Sequence, residues 1–341
     1  MEEIAPITFW YMNIGDHGDL TISTLVPPLT KEDKSLYTER VKLFKEGEKN
    51  LSLNYYREVK LGQLRMLFIN EKLAKQGLLS IVNNVFADPN ISQRLYLIVI
   101  KGDFEQFLRQ HKNEKENLKE YYFYRMLKHY ENESQKEITV ANLHQFVKRL
   151  YNPYSDPIVP VFKVSGSNLV YQGTGIFRND KQILTLKKID NLMLRLLDVN
   201  DRDQESLSIP DLLVSIGHVQ TKVEREINEE TSTLNIKVKM QGSIEEYHGN
   251  KVLRDGAEFE KLSGQIETYL EYHSVALLKM LQQNEVDPLE IGTLTVHPVG
   301  NRISGKEWED KWRHMKVNVD YQLLLKPVTN DTSDNVKKYI Q

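Results

Sequence analysis

Strict two-residue alternation in the C-terminal third limits this chain more than any other feature. Thr233 to Met240 reads TLNIKVKM and sets Leu234, Ile236, Val238 and Met240 on one face. Lys316 to Leu325 reads KVNVDYQLLL and does the same with Val317, Val319, Tyr321 and Leu323. Successive strand side chains point to opposite faces, so such runs belong to sheets with one buried and one wet face. Between them, roughly Glu258 to Gln283 carries Phe259, Leu262, Ile266, Tyr269, Leu270, Leu277, Leu278 and Leu281 at helical spacing. A one-striped helix and a one-faced sheet bury each other. The expectation over residues 207–327 is therefore α+β (mixed α/β), an antiparallel sheet covered by one long helix.

The remainder divides by its punctuation. Residues 1–155 read as a mixed α/β domain. Ile7 to Ile14 and Leu20 to Val26 predict a hairpin around Gly15-Asp16-His17-Gly18, and Pro27-Pro28 ends its second strand. Asn50 is placed to cap a helix running to Arg57. Arg65 to Ile69, a helical run over Glu71 to Phe86 broken at Gly77, and LYLIVI over Leu95 to Ile100 predict a βαβ crossover. Its parallel strands are expected to be buried on both faces. Further helix is expected from Phe104 and over Leu118 to Tyr130. YNPYSDPIVP over 151–160, with three prolines, marks a boundary. Residues 156–206 read as a small middle domain of hairpins turning at Gly166-Ser167 and Asn179-Asp180. A short helix capped by Asp190 and the polar link DVNDRDQES follow. The tail 328–341 is expected to fray.

Composition excludes several chemistries. The 341 residues exceed one core of ordinary size and favour about two to three domains. Net charge is −3 with signs interspersed, so no general electrostatic case for nucleic acid exists. The absence of cysteine removes disulfides, thiolate nucleophiles and Cys-ligated metals. No run approaches the ~18 apolar residues that span a bilayer.

The candidate sites favour their plain readings. Asp198-Val-Asn200-Asp201-Arg202-Asp203 starts like a calcium loop but lacks the Gly at its sixth position and the Glu at its twelfth, so it reads as a solvated link. Gly173-Thr-Gly175 starts like a dinucleotide loop with Arg178 at the third Gly, and reads as a turn. The nine histidines, His144, His273 and His297 among them, show no zinc spacing. Glu224, Glu226, Glu229, Glu230, Glu245 and Glu246 could supply a glycosidase-like pair, but fit the wet face of two strands better. Tyr121, Tyr122, Phe123, Tyr124 and Tyr130, interleaved with Lys119, Arg125 and Lys128, fit packing better than single-stranded nucleic acid. Trp308 and Trp312, four apart, share one face of a helix that Ser304 and Glu307 close with a capping box. That face is either packing or a contact for a partner or membrane interface. No catalytic, cofactor-binding or metal-binding residue is assigned, and no cofactor is expected.

Asp287-Pro-Leu-Glu-Ile-Gly292, Lys306-Glu-Trp308, Trp312 and the closing KVNVDY strand, taken in order, resemble the C-terminal domain of the spore germination Ger(x)C proteins. Glu71 to Leu78, Val99-Ile-Lys-Gly102 and the turn Gly175 to Lys181 extend the resemblance over nearly the whole chain. Members are lipoprotein C subunits of nutrient germinant receptors. The resemblance implies a non-enzymatic subunit on the outer face of the spore inner membrane. Its implied partners are the A and B membrane subunits. It also implies a signal peptide and a lipidated cysteine just upstream of a segment like Glu3-Ile4, so that this sequence is a mature, soluble fragment. Lys326-Pro327 replaces the family's usual glycine after the final strand. The alternative is a soluble substrate-binding protein or hydrolase with an interdomain cleft.

Overall fold

The computed structural model describes residues 4–15, 19–26, 35–42, 44–55, 58–111, 118–132, 138–198, 202–249, 256–296 and 303–327. Pro27-Pro28, most of the first hairpin's loop, His297, part of the calcium-like segment and the tail lie outside these residues. The chain forms two compact units. One comprises 1–191 with 281–313, the other 192–280 with 314–341.

The first unit opens with β1 (Ile4–Pro6), β2 (Phe9–Ile14), β3 (Leu20–Val26), β4 (Ser35–Val41), α1 (Phe44–Tyr55) and β5 (Glu58–Lys60). The expected crossover follows as β6 (Met66–Asn70), α2 (Glu71–Gln76), α3 (Leu79–Ala87) and β7 (Tyr96–Lys101). Helices α4 (Phe104–His111), α5 (Leu118–Asn132) and α6 (Leu143–Leu150) lead to β8 (Ile158–Ser165), β9 (Asn168–Arg178) and β10 (Lys181–Leu186). Eight of these ten strands make one sheet in the order β10-β9-β8-β7-β6-β2-β3-β4, while β1 and β5 pair with each other in parallel. Its centre, β2-β6-β7-β8, is parallel and its flanks are antiparallel.

The two faces of this sheet are told apart by alternation. Trp10, Met12, Leu67, Ile69, Leu97 and Val99 share one apolar cluster with residues of α2, α3 and α6. Phe9, Tyr11, Phe68, Ile98 and Ile100 share another with Phe104, Phe107, Phe123 and Leu127. Helices on both faces explain why LYLIVI is apolar throughout.

Several details differ from expectation, Asp190 among them: it lies inside the helix Lys188–Leu197 and does not cap it. The hairpins over 158–186 continue the first sheet, because β8 pairs parallel with β7. Joining an existing sheet gives β8 a paired neighbour on each side. Asn50 lies inside α1, where its amide donates to Glu39 Oε1 (3.2 Å), so that helix starts upstream of it. Gly173 and Gly175 lie within β9, not in a turn. Gly173 sits at a bulge with φ +135°, and a Cβ there would collide with the Leu186 carbonyl. The latter part of the polar link, from residue 202, belongs to a strand, Arg202–Ile209.

The second unit contains most of α7 (Lys188–Leu197), then β11 (Arg202–Ile209), β12 (Val214–Asn228), β13 (Thr233–Tyr247), most of α8 (Gly256–Gln283) and β14 (Lys316–Lys326). Its sheet order is β11-β12-β13-β14. Leu234, Ile236, Val238 and Met240 are buried, as are Leu262, Ile266, Leu270, Leu277 and Leu278 of α8. Buried Ser274 and Tyr321 join helix to strand by a 3.0 Å hydrogen bond. The closing strand runs parallel to β13, whereas antiparallel pairing was expected. Parallel neighbours need a long crossover, and α8 with the segment after it supplies one.

Candidate functional site

The segment 281–313, which the first unit gains from late in the sequence, carries the Asp287–Gly292 motif and both C-terminal tryptophans. The local chemistry explains each motif residue. The Asp287 carboxylate accepts Ile291 N–H at 2.9 Å and Gly292 N–H at 2.7 Å, closing the turn that starts at Ile291. Ile291 and Leu289 are buried. At Gly292 a Cβ would lie 2.7 Å from the Trp308 indole and 2.9 Å from Tyr154 Cβ, so only glycine fits. Helix α9 (Gly305–His314) begins with the expected capping box: Glu307 N–H donates to Ser304 Oγ (3.2 Å) and Ser304 N–H to Glu307 Oε2 (2.6 Å). Trp308 and Trp312 stack at 5.8 Å and are 2% and 1% exposed. Trp312 Nε1–H donates to the Val286 carbonyl at 2.9 Å.

This segment meets the proline-punctuated loop after α6. Asp156 N–H donates to the Asp287 carbonyl (3.1 Å), and Asp287 N–H donates to Asp156 Oδ2 (2.7 Å). Arg149 donates to the carbonyls of Pro288 (2.7 Å) and Asp156 (3.2 Å) and pairs with Glu290 at 3.1 Å. Tyr154 hydroxyl donates to the Ile303 carbonyl. Burial pushes the Asp156 carboxyl up to about 6, against the lowering effect of N–H bonds from Asp287 and Asn179.

Between the two segments lies a cavity of about 240 Å³, with Asn152, Ser155, Asp156, Asn179, Trp308 and Glu309 in its wall. Glu285 and Asp287 also border it. Arg178 and Arg313 both pair with Glu285, and Arg178 reaches Glu309 at 3.9 Å. The lining is predominantly polar, suited to hydrogen bonding and charge recognition.

The other sequence candidates are not brought together here. Glu224, Glu226, Glu229, Glu230, Glu245 and Glu246 are exposed, and Glu224 pairs with Lys239 at 3.2 Å. His144 is exposed on α6. Phe123 is buried while Tyr122 is 68% exposed, so the aromatic run is divided between core and solvent. Among the described residues no group of three His, Asp or Glu is placed to hold a metal ion. No described helix is long and apolar enough to cross a membrane. Sequence reasoning passed over Asp156 and Ser155. The only available signal was their position among the prolines that precede β8.

Two family models match in tandem. The spore germination protein N-terminal domain covers residues 1–164, and the spore germination B3/GerAC-like C-terminal domain covers 172–326. Spore germination protein GerQC of Bacillus cereus is 22% identical over 267 residues, spanning 76% of this chain and 73% of the relative. The putative spore germination protein YfkR of Bacillus subtilis (strain 168) is 20% identical over 299 residues, spanning 81% and 74%. The GerBC protein, known from a crystal structure, shares the fold with a TM-score of 0.57 at 13% identity, over 94% of this chain and 97% of that one.

Proposed function

This chain belongs to the Ger(x)C family of spore germination proteins, and from that premise we propose that it is a non-enzymatic subunit of a nutrient germinant receptor. The observation that carries this reading is the tandem match over 1–164 and 172–326, which leaves almost none of the chain to an unrelated module. The subunit is held by an N-terminal lipid at the outer face of the spore inner membrane. There it keeps an A and a B membrane subunit in a signalling-competent assembly. The placement of the family motif supports a scaffold. Asp287, Ile291, Gly292 and Trp308 spend their polar and apolar capacity on one another.

The test is a pull-down from spore membranes with the lipidated form tagged. Recovery of two integral-membrane receptor subunits is the expected result. A tagged protein found alone and outside the membrane fraction would overturn the receptor reading. It would favour the substrate-binding alternative, for which a nutrient panel in a thermal-shift assay is the direct measurement.

A further inference from the structure

We propose that the cavity between the 150–157 loop and the 285–292 segment is a binding site for a small, hydrophilic primary ammonium compound. The inference stands apart from the receptor assignment and rests on three features of the wall. The first is size. About 240 Å³ exceeds what one water needs and falls short of the usual space for drug-sized ligands, so the occupant is small.

The second is charge. Four carboxylates border the cavity, those of Asp156, Glu285, Asp287 and Glu309. Two guanidinium groups answer them, and both are drawn to Glu285. Each Asp287 carboxylate oxygen is already engaged by a backbone N–H group, of Ile291 or of Gly292. Among the described residues, Asp156 accepts the backbone N–H groups of Asp287 and Asn179 and feels the charge of Arg178, and Glu309 meets the same Arg178 at the limit of ion-pair range. Among the described residues, Asp156 and Glu309 are thus left to share Arg178, and carboxylates that outnumber cations around a cavity favour a further cation.

The third is an orphaned hydroxyl. Ser155 is 8% exposed and belongs to the wall, yet among the described residues its Oγ has no hydrogen-bond partner. Buried hydroxyls are nearly always paired, so an unpaired one beside a cavity points to a ligand group that completes it. A primary ammonium has three donors, enough for Asp156, Glu309 and Ser155 together. Asn152 and Asn179 remain for a hydroxyl or carbonyl elsewhere on the ligand.

Calorimetric titration of the full chain with ethanolamine hydrochloride tests this, with ethylene glycol and sodium acetate as size-matched neutral and anionic probes at constant ionic strength. Expected are saturable binding of ethanolamine alone and shifts of the Trp308 and Trp312 indole N–H resonances on binding. Glu309→Gln and Asp156→Asn should each weaken affinity by about tenfold, the effect of removing one nearby charge. Asp156→Asn keeps an oxygen for Asp287 N–H, and Glu309 is exposed, so both variants should retain the native melting cooperativity. No saturable heat would overturn the proposal, as would equal binding of ethylene glycol. Unchanged affinity in both folded variants would place the amine elsewhere and overturn it too.

Discussion

At the scale of single residues, Asp156 and Gly292 show opposite compromises. The folded Asp156 pKa of about 6 lies above its ordinary value of 3.8, so the folded state holds this proton more tightly than the unfolded chain. Its ionisation therefore costs stability in full above about pH 6, and that cost disappears as pH falls toward 4. Asp156→Asn should stabilise the protein at pH 7.5 by at most about 3 kcal/mol, and the gain should vanish near pH 4. Urea unfolding at the two pH values measures this; an equal effect at both would contradict it. Gly292→Ala should lower stability by about 1–3 kcal/mol, because the added methyl meets a buried indole and the backbone-proximal Tyr154 Cβ. Trp312→Phe should cost a similar amount, since the Val286 carbonyl loses its donor as well as packing. Thermal melts of both variants would reveal these losses.

At the scale of elements, α8 does more than cover a sheet. Strand β14 is an edge, and an edge presents unpaired N–H groups. Glu267 accepts Leu323 N–H at 3.0 Å and Glu271 accepts Tyr321 N–H at 3.1 Å. Four helical residues rise about 6 Å and two strand residues about 6.6 Å, so carboxylates one turn apart match alternate amides. Replacing both glutamates by alanine should speed hydrogen exchange at the Tyr321 and Leu323 amides and cost about 1 kcal/mol per bond. Unchanged exchange at those amides would mean the carboxylates do not cap the edge. In α9, Ser304→Ala should cost about 1 kcal/mol through loss of the cap, measurable by denaturant titration.

At the scale of the whole molecule, the units do not follow sequence order. The first unit takes in 281–313 after the chain has built most of the second. A fragment ending at residue 206 would lack Trp308, Trp312 and the Asp287 turn, and would uncover the side of Tyr154 that meets Gly292. It should melt without cooperativity or aggregate. A fragment that melts as sharply as the intact chain would show that 281–313 is dispensable to the first unit.

Local pattern alone determined much of this protein. Period-two runs fixed β13 and β14, the helical stripe fixed α8, the apolar LYLIVI run fixed a strand buried on both sides, and Ser304 with Glu307 fixed the start of α9. These features are legible because neighbours in sequence make them. The ordered motif from Asp287 to Tyr321 was likewise enough to identify the family. Tertiary structure decided the rest. Strand direction in β14 depends on where the crossover returns the chain, which no local period records. Membership of β8 to β10 in the first sheet depends on pairing with a strand more than fifty residues earlier. The cavity depends on Asp156 meeting Asp287 across 131 positions. Contacts made across such distances leave no local pattern in sequence, because each partner is chosen by the packing of everything between.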